Sequence, residues 1–287
     1  MNHIFLNAEV VSGLGEDTFW TWMLRELPCA RLGVPDVLDY GDVVLHYSTL
    51  GEPKHPSRTI ALLWELHHEM RDRLCTDEWN PIIAKIEAAA ASSRWRTTPT
   101  LATKHYYERF GAVDIVPIGV DCDVFHPGAG PTRKAREELG LPLDKHLVFW
   151  SGTRHRMKGH DRIGDWLARH PEMHLVVAWK HEDEPPHGGA TNFWHLPQAE
   201  LARVMRACHC FLSPGHLRPW FMVEWEALAC GLEPILLDEW DRYEKSGIAY
   251  DAEPSQRDLV LWQRWDRDAA RTEWFNYIER CSSERTS

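Results

Sequence analysis

The hydrophobic positions of the chain fall into short apolar runs that alternate with longer segments of helical periodicity. The clearest runs are residues 42–47 (DVVLHY) and 59–66 (TIALLWEL), which are apolar almost without interruption. Strands covered on both faces have this composition, and their alternation with helices is typical of parallel α/β units. The pattern therefore predicts an α/β protein with doubly wound parallel sheets.

Both halves of the chain carry this alternation. In the first half we predict strands at 3–6, 42–47, 59–66 and 113–117, and helices at 18–27, 82–91 and 101–110. In the second half we predict strands at 147–151, 174–179, 192–196, 210–213 and 233–237, and helices at 161–170, 198–208, 223–229 and within 256–280. Two successive sets of strands and helices indicate two domains of similar construction.

A stretch rich in proline and glycine separates the two sets. Residues 126–131 (HPGAGP) contain two prolines and two glycines, so neither a helix nor a strand continues through them. We therefore predict an N-terminal domain of residues 1–125, a second domain of residues 126–255 and a helical tail of residues 256–287. Strands of doubly wound sheets end at a crevice, and we expect any ligand to bind there, between the domains.

Composition excludes several classes of protein. The formal net charge of −11 argues against a protein whose main task is to coat nucleic acid, although a local basic cleft is compatible with it. No run approaches ~18 apolar residues and the N-terminus lacks a basic region, so neither a transmembrane helix nor a signal peptide is expected. Seven cysteines without regular spacing indicate reduced thiols. We therefore expect a cytoplasmic protein.

Between residues 113 and 237 the chain carries an ordered set of short motifs. In chain order they are 116–127 (VPIGVDCDVFHP), 133–140 (RKAREELG), Gly152, Lys158-Gly159, Ser213-Pro214, 226–231 (EALACG) and Pro234. This order resembles the GT4-type glycosyltransferases, which have an I-P-x-G-V-D-x-x-x-F hinge, a G…K-G turn and an E-A-x-A-x-G-x-P helix. The resemblance implies the GT-B fold: two Rossmann-like domains facing a central cleft, the N-terminal one on the acceptor side and the C-terminal one binding a nucleotide sugar. It also implies that the C-terminal helix packs back across the domains.

The turn at residues 152–159 (GTRHRMKG) is basic in an acidic chain, and Lys158 precedes a predicted helix. A cation beside the N–H groups at a helix start suits a diphosphate, whereas the alternative is a solvated basic loop. The resemblance implies that Lys158 and an arginine neutralise the donor diphosphate and stabilise the leaving group. The family's arginine usually follows the glycine directly, where this chain has Thr153, so we assign that role to Arg154.

The resemblance assigns Glu226 to the hydroxyls of the donor ribose, because a carboxylate accepts from both hydroxyls of a diol. The alternative is a glutamate on a helix surface. The family's other Glu, eight residues earlier, is replaced here by Arg218, which indicates an unusual donor sugar, an arginine serving the diphosphate, or lost activity. Gly215 and His216 lie in the preceding loop, where backbone amides can approach the donor.

Two candidates fall in the N-terminal half. Gly15 closes a G-x-G after the first predicted strand, where the resemblance implies a loop near the donor phosphates and the alternative is a plain turn. His67 follows the 59–66 strand, where family members often carry a histidine beside the donor sugar, and we assign it a catalytic role. The alternative for His67, as for the nearby His46, is a packed, hydrogen-bonded histidine.

The sequence gives no reason to expect a metal or another cofactor. Residues 68–72 (HEMRD) lack the second histidine of a zinc-protease motif. The D-x-D pairs at 121–123 and 266–268 lie in the hinge motif and in the helical tail, and we interpret both as structural.

The predicted function is that of a retaining, metal-independent glycosyltransferase using a nucleoside-diphosphate sugar, with a UDP-sugar as the first choice. The alternatives are a nucleotide-sugar-binding protein that lost turnover, as Arg218 suggests, and a nucleotide-sugar epimerase of GT-B build. The acceptor is open between a glycan, a small metabolite and a hydroxymethylated DNA base, the last disfavoured by the net charge. The sequence does not address the oligomeric state.

Overall fold

The structure is a computed structural model of the 287-residue chain. It describes residues 3–7, 24, 27, 29–64, 76–99, 101–116, 119–154, 158–215, 222–237 and 267–284. Two compact units divide the chain: residues 1–119 together with 268–287, and residues 120–267. Each unit holds one parallel sheet with helices, which confirms the predicted α/β class.

The first unit is built on a six-stranded sheet. Its strands are β1 (Ile4–Asn7), β2 (Ala30–Leu32), β3 (Val43–Tyr47), β4 (Thr59–Leu62), β5 (Trp95–Thr98) and β6 (Asp114–Ile115). They are parallel and lie in the order β2-β1-β3-β4-β5-β6. The helices are α1 (Asn80–Ser92) and α2 (Leu101–Tyr107), with 3-10 turns at Ser48–Leu50, Pro56–Arg58 and Glu108–Phe110.

The C-terminal helix, numbered α7 (Arg267–Ser283), completes the core of this first unit. Trp274 is fully buried in one cluster with residues of β1, β3 and β4. The Tyr277 hydroxyl donates to the main-chain carbonyl of Arg96 in β5 at 3.2 Å. The tail is therefore helical within its described part, and it covers one face of the first sheet.

The second unit is built on a five-stranded sheet. Its strands are β7 (His146–Gly152), β8 (Met173–Trp179), β9 (Thr191–Trp194), β10 (Cys210–Ser213) and β11 (Glu233–Leu236). The helices between them are α3 (Arg133–Glu138), α4 (His160–Arg169), α5 (Gln198–Ala207) and α6 (Met222–Ala229). All strand pairs are parallel. The middle residues of the central strands β7, β8 and β10 are apolar and buried because helices cover both faces of the sheet.

The strand order of the second sheet, β11-β10-β7-β8-β9, contains a reversal. From β7 the chain crosses through α4 to β8 on one side, whereas β10 and β11 are added on the other side. The connections that follow β7 and β10 therefore diverge, and a crevice opens at the carboxyl ends of these two strands. Within the described residues, none of the helices combines the length and the apolar composition needed to cross a bilayer.

Candidate functional site

A pocket occupies the crevice at the carboxyl ends of β7 and β10, within the second unit. It is lined by Phe149, Trp150, Ser151, Lys158, Phe211, Leu212, Pro214, Gly215, Val223, Glu224 and Ala227. Its floor is apolar, and its polar groups come from the loops after β7 and β10 and from the first turn of α6. Such an apolar pocket with a few convergent polar groups is the usual form of a small-molecule site.

The loops after β7 and β10 touch at a glycine. Gly159 has φ +70°, and a Cβ added to it would lie 2.0 Å from the carbonyl oxygen of Pro214. Only glycine fits this contact, because the conformation is left-handed and the facing atom is backbone. The contact brings Lys158 and Gly215, which were both predicted as donor-binding residues, to one pocket.

Replacing Gly159 by alanine is expected to destabilise the second unit and to weaken the binding of any ligand in the pocket. The new methyl group must displace the Pro214 carbonyl, and the strained conformation adds about 1–3 kcal/mol to the cost. Gly164→Ala is the matched control, since a Cβ there meets nothing within 4 Å and alanine favours the helix interior. Thermal unfolding of both variants tests this, and equal melting temperatures would contradict it.

Glu224 is a pocket residue that the sequence interpretation missed. Its side chain is buried, with 7% of the residue exposed, and it accepts a hydrogen bond from the Ser213 hydroxyl at the end of β10. Lys158 and Glu224 therefore supply a cation and a carboxylate to the same pocket. The signal that was available is a glutamate in the first turn of a helix that follows a sheet crevice, where helix N–H groups favour a negative charge.

Glu226 lies two residues further along α6 and does not line the pocket. It is buried, with 8% of the residue exposed. Removal from water raises the pKa of Glu226 to about 7, because burial penalises the charged form. The helix thus holds a buried carboxylate in surroundings that disfavour its charged form.

Arg154 is directed to a different loop from Lys158. Its guanidinium donates to the carbonyls of Pro185 at 3.0 Å and Pro186 at 3.1 Å, and it lies 5.4 Å from the ring centre of Trp179. Its main-chain N–H donates to the Glu184 carboxylate at 3.3 Å. Arg154 is therefore bound to the loop after β8, and it is not among the residues that line the pocket with Lys158.

Two histidines have structural surroundings. His160, the first residue of α4, packs 5.6 Å from Trp150 and 5.5 Å from Trp179, ring centre to ring centre. Burial, together with the charge of Arg154, lowers its pKa, so the ring is neutral at pH 7. His46 is buried in β3, where its Nε2 lies 2.6 Å from the Gly51 carbonyl and its Nδ1 2.8 Å from the Asn7 amide. His46 is thus a packed, hydrogen-bonded histidine.

The remaining candidates lie outside the described residues: Gly15, His67, His216 and Arg218. Among the residues that the structure does describe, no three His, Cys, Asp or Glu side chains are grouped as metal ligands would be.

Comparisons with known proteins bear on both the sequence and the fold. No family model matches the chain. A protein named D-inositol 3-phosphate glycosyltransferase from Mycolicibacterium paratuberculosis is 33% identical over 136 residues, which are 42% of this chain and 30% of the relative. A protein of the same name from Acidothermus cellulolyticus is 27% identical over 177 residues, 52% of this chain and 39% of the relative. The similarity thus spans well under half the length of these curated relatives.

Solved structures match nearly the whole chain. Sucrose-phosphate synthase from Thermosynechococcus elongatus superposes with a TM-score of 0.66 at 14% identity, covering 98% of this chain and 96% of that one. The HepE protein of Anabaena in complex with UDP-glucose superposes with a TM-score of 0.64 at 10% identity, covering 99% and 95%. At these identities the likeness establishes the fold alone. The resemblance to GT4-type glycosyltransferases is thus confirmed, and the chain has the GT-B fold.

Proposed function

We propose that this protein is a retaining, metal-independent glycosyltransferase that takes its sugar from a UDP-sugar. The observation that carries the proposal is the pocket at the carboxyl ends of β7 and β10, where Lys158, Gly215 and Glu224 converge. A solved structure of similar fold is in complex with UDP-glucose, and curated relatives that match part of the chain are named as glycosyltransferases.

In this proposal Lys158 binds the diphosphate. Its side chain is half-buried and lies beside the start of α4, so its charge is screened less by water than that of a surface lysine. As the bond between sugar and diphosphate breaks, negative charge grows on the leaving oxygen. A cation fixed at that position stabilises the transition state more than the ground state, which is the origin of catalysis.

The two glutamates of α6 are proposed to bind hydroxyl groups of the donor, Glu224 from within the pocket and Glu226, which the sequence resemblance assigns to the ribose, from outside its lining. Burial makes the charged form of a carboxylate costly in free energy, and a ribose diol that donates two hydrogen bonds offsets part of that cost. This supports the ribose as the partner of Glu226. Glu224 already accepts from Ser213 and has further acceptor capacity toward a hydroxyl in the pocket.

Five further residues enter the proposal from the sequence resemblance. Arg218 and His216 are proposed for the donor sugar or its diphosphate, Gly15 for the phosphates, and His67 for the reaction beside the sugar. Arg154 stays in the proposal as a second cation for the diphosphate. To reach it, Arg154 must leave the carbonyls of Pro185 and Pro186.

The test is a thermal-shift screen of the chain with UDP-, GDP- and ADP-sugars, followed by product analysis. We expect UDP-sugars to raise the melting temperature most, because binding to the folded state stabilises it by mass action. Transfer is then assayed with glycans, small metabolites, hydroxymethylated DNA and D-inositol 3-phosphate, the last chosen from the name of the curated relatives.

Each outcome of this screen discriminates between functions. Transfer that keeps the anomeric configuration supports the proposal, and inversion would refute the retaining mechanism. Binding without turnover indicates a nucleotide-sugar-binding protein. Conversion of the donor sugar without any acceptor indicates an epimerase. Stabilisation by none of the donors contradicts the proposed function.

Chelation is expected to leave the activity unchanged, because fixed cations and main-chain N–H groups take the place of a metal at the diphosphate. The assay compares initial rates in EDTA with rates in added Mg²⁺ or Mn²⁺. Loss of activity in EDTA with recovery in either metal would contradict the metal-free mechanism.

A further inference from the structure

Arg162, in the first turn of α4, ties the ends of two strands together. Its guanidinium donates to the carbonyl of Pro214 at 2.9 Å and to that of Gly215 at 3.4 Å, both after β10. It also donates to the carbonyl of Leu237, just after β11, at 2.8 Å. One planar guanidinium thus joins segments 52 and 75 residues away in the sequence.

These hydrogen bonds fix the direction of a peptide group in the pocket. The Pro214 carbonyl points toward Arg162 in α4 and contacts Gly159, the residue directly before α4. The C=O and N–H of a trans peptide point in opposite directions, and the described residues contain no cis peptide. The N–H of Gly215 therefore points away from the Arg162 guanidinium, and Gly215 lines the same pocket as Lys158.

The same contacts change the local charge. Main-chain carbonyl oxygens carry partial negative charge and would repel an anion placed among them. Arg162 donates to three of these oxygens at the carboxyl edge of the sheet, and its positive charge offsets their negative partial charge. With these oxygens bound, main-chain N–H groups and the Lys158 ammonium are the groups left to attract an anion, which is the arrangement that favours phosphate.

We propose that Arg162 is a positioning residue that orients the Gly215 N–H toward the donor diphosphate. This inference rests on the proposed function. The group that it adds to the diphosphate site is the Gly215 N–H, which carries no net charge. Arg162 acts through the peptide it holds and does not touch the donor. A lysine cannot replace it fully, because a single ammonium lacks the fork that reaches both strand ends.

The experiment compares the affinities of UDP and uridine in wild-type and variant proteins. UDP is titrated by calorimetry and uridine by ligand-observed NMR. For Arg162→Leu we expect a loss of about tenfold in UDP affinity, the cost of one hydrogen bond to a charged group, and no change for uridine. The UDP affinity of Arg162→Lys is expected to lie between those of the wild-type protein and Arg162→Leu. Arg169→Leu is the control, since Arg169 is on the same helix and its side chain donates to the carbonyl of Asp165 there.

The outcomes separate this inference from the proposed function. Failure of the wild-type protein to bind UDP overturns both. UDP binding by Arg162→Leu within twofold of wild type overturns the role of Arg162 alone. Equal losses for UDP and uridine also overturn it, because they indicate a merely structural residue. Where Arg162→Leu does not fold, Arg162→Gln is judged by the same criteria.

Discussion

Replacing Lys158 by alanine is expected to lower the rate of sugar transfer by about two to three orders of magnitude, the usual effect of removing one fixed donor to a developing negative charge. The melting temperature should change little, since the side chain is half-buried and lines a pocket. Donor affinity should fall less than the rate, because the ammonium interacts most strongly with the charge that forms in the transition state.

The control for Lys158→Ala is Lys145→Ala, which makes the same change of charge. Lys145 is exposed and directly precedes β7, so it lies at the opposite end of the sheet from the pocket. Both variants are compared by initial rate, donor affinity and thermal unfolding. A Lys158→Ala protein that melts and turns over like wild type would remove Lys158 from the site.

The centre of the second sheet could be predicted closely from its sequence because each of its strands β7, β8 and β10 carries a run of buried apolar residues. β7, β8 and β10 lie within one residue of the predicted bounds. β5 was missed for the opposite reason. Three of its four residues are Arg96, Thr97 and Thr98, all buried polar side chains, so no apolar run marks the strand. Burial of polar side chains depends on partners far along the chain, which periodicity does not report.

The candidate site was predictable where motifs fix the backbone. Lys158 and Gly215 belong to turns that follow strands, and the structure brings both into one pocket. Glu224 was missed because the motif contains Glu226 and not Glu224. Side chains two residues apart on a helix point about 200° apart, so the two glutamates lie on different faces of α6. The partners of Arg154 and Arg162 are carbonyls on other loops, which the sequence has no means to indicate.

Replacing Glu226 by glutamine is expected to raise stability and to weaken donor binding at once. The folded protein holds the pKa of Glu226 near 7 against an ordinary value of 4.5. Between these two pH values the folded state binds more protons than the unfolded state, so the contribution of Glu226 to stability falls as pH rises from about 4.5 to 7. Glutamine removes this penalty, which amounts to about 3 kcal/mol above pH 7 and to almost nothing at pH 4.

The measurement is denaturant unfolding at pH 5 and pH 8, with Glu233→Gln as the control because Glu233 is exposed at the start of β11. We expect Glu226→Gln to exceed wild type in stability at pH 8 by clearly more than at pH 5, and Glu233→Gln to show no such difference.

Donor affinity should fall about tenfold in Glu226→Gln, since an amide accepts less well from two hydroxyls than a carboxylate. A stability gain with unchanged donor affinity would mean that Glu226 is a buried charge that does not contact the donor. An unchanged stability at both pH values would mean that the carboxylate finds a partner in solution, and the argument that a ribose diol satisfies it would fail.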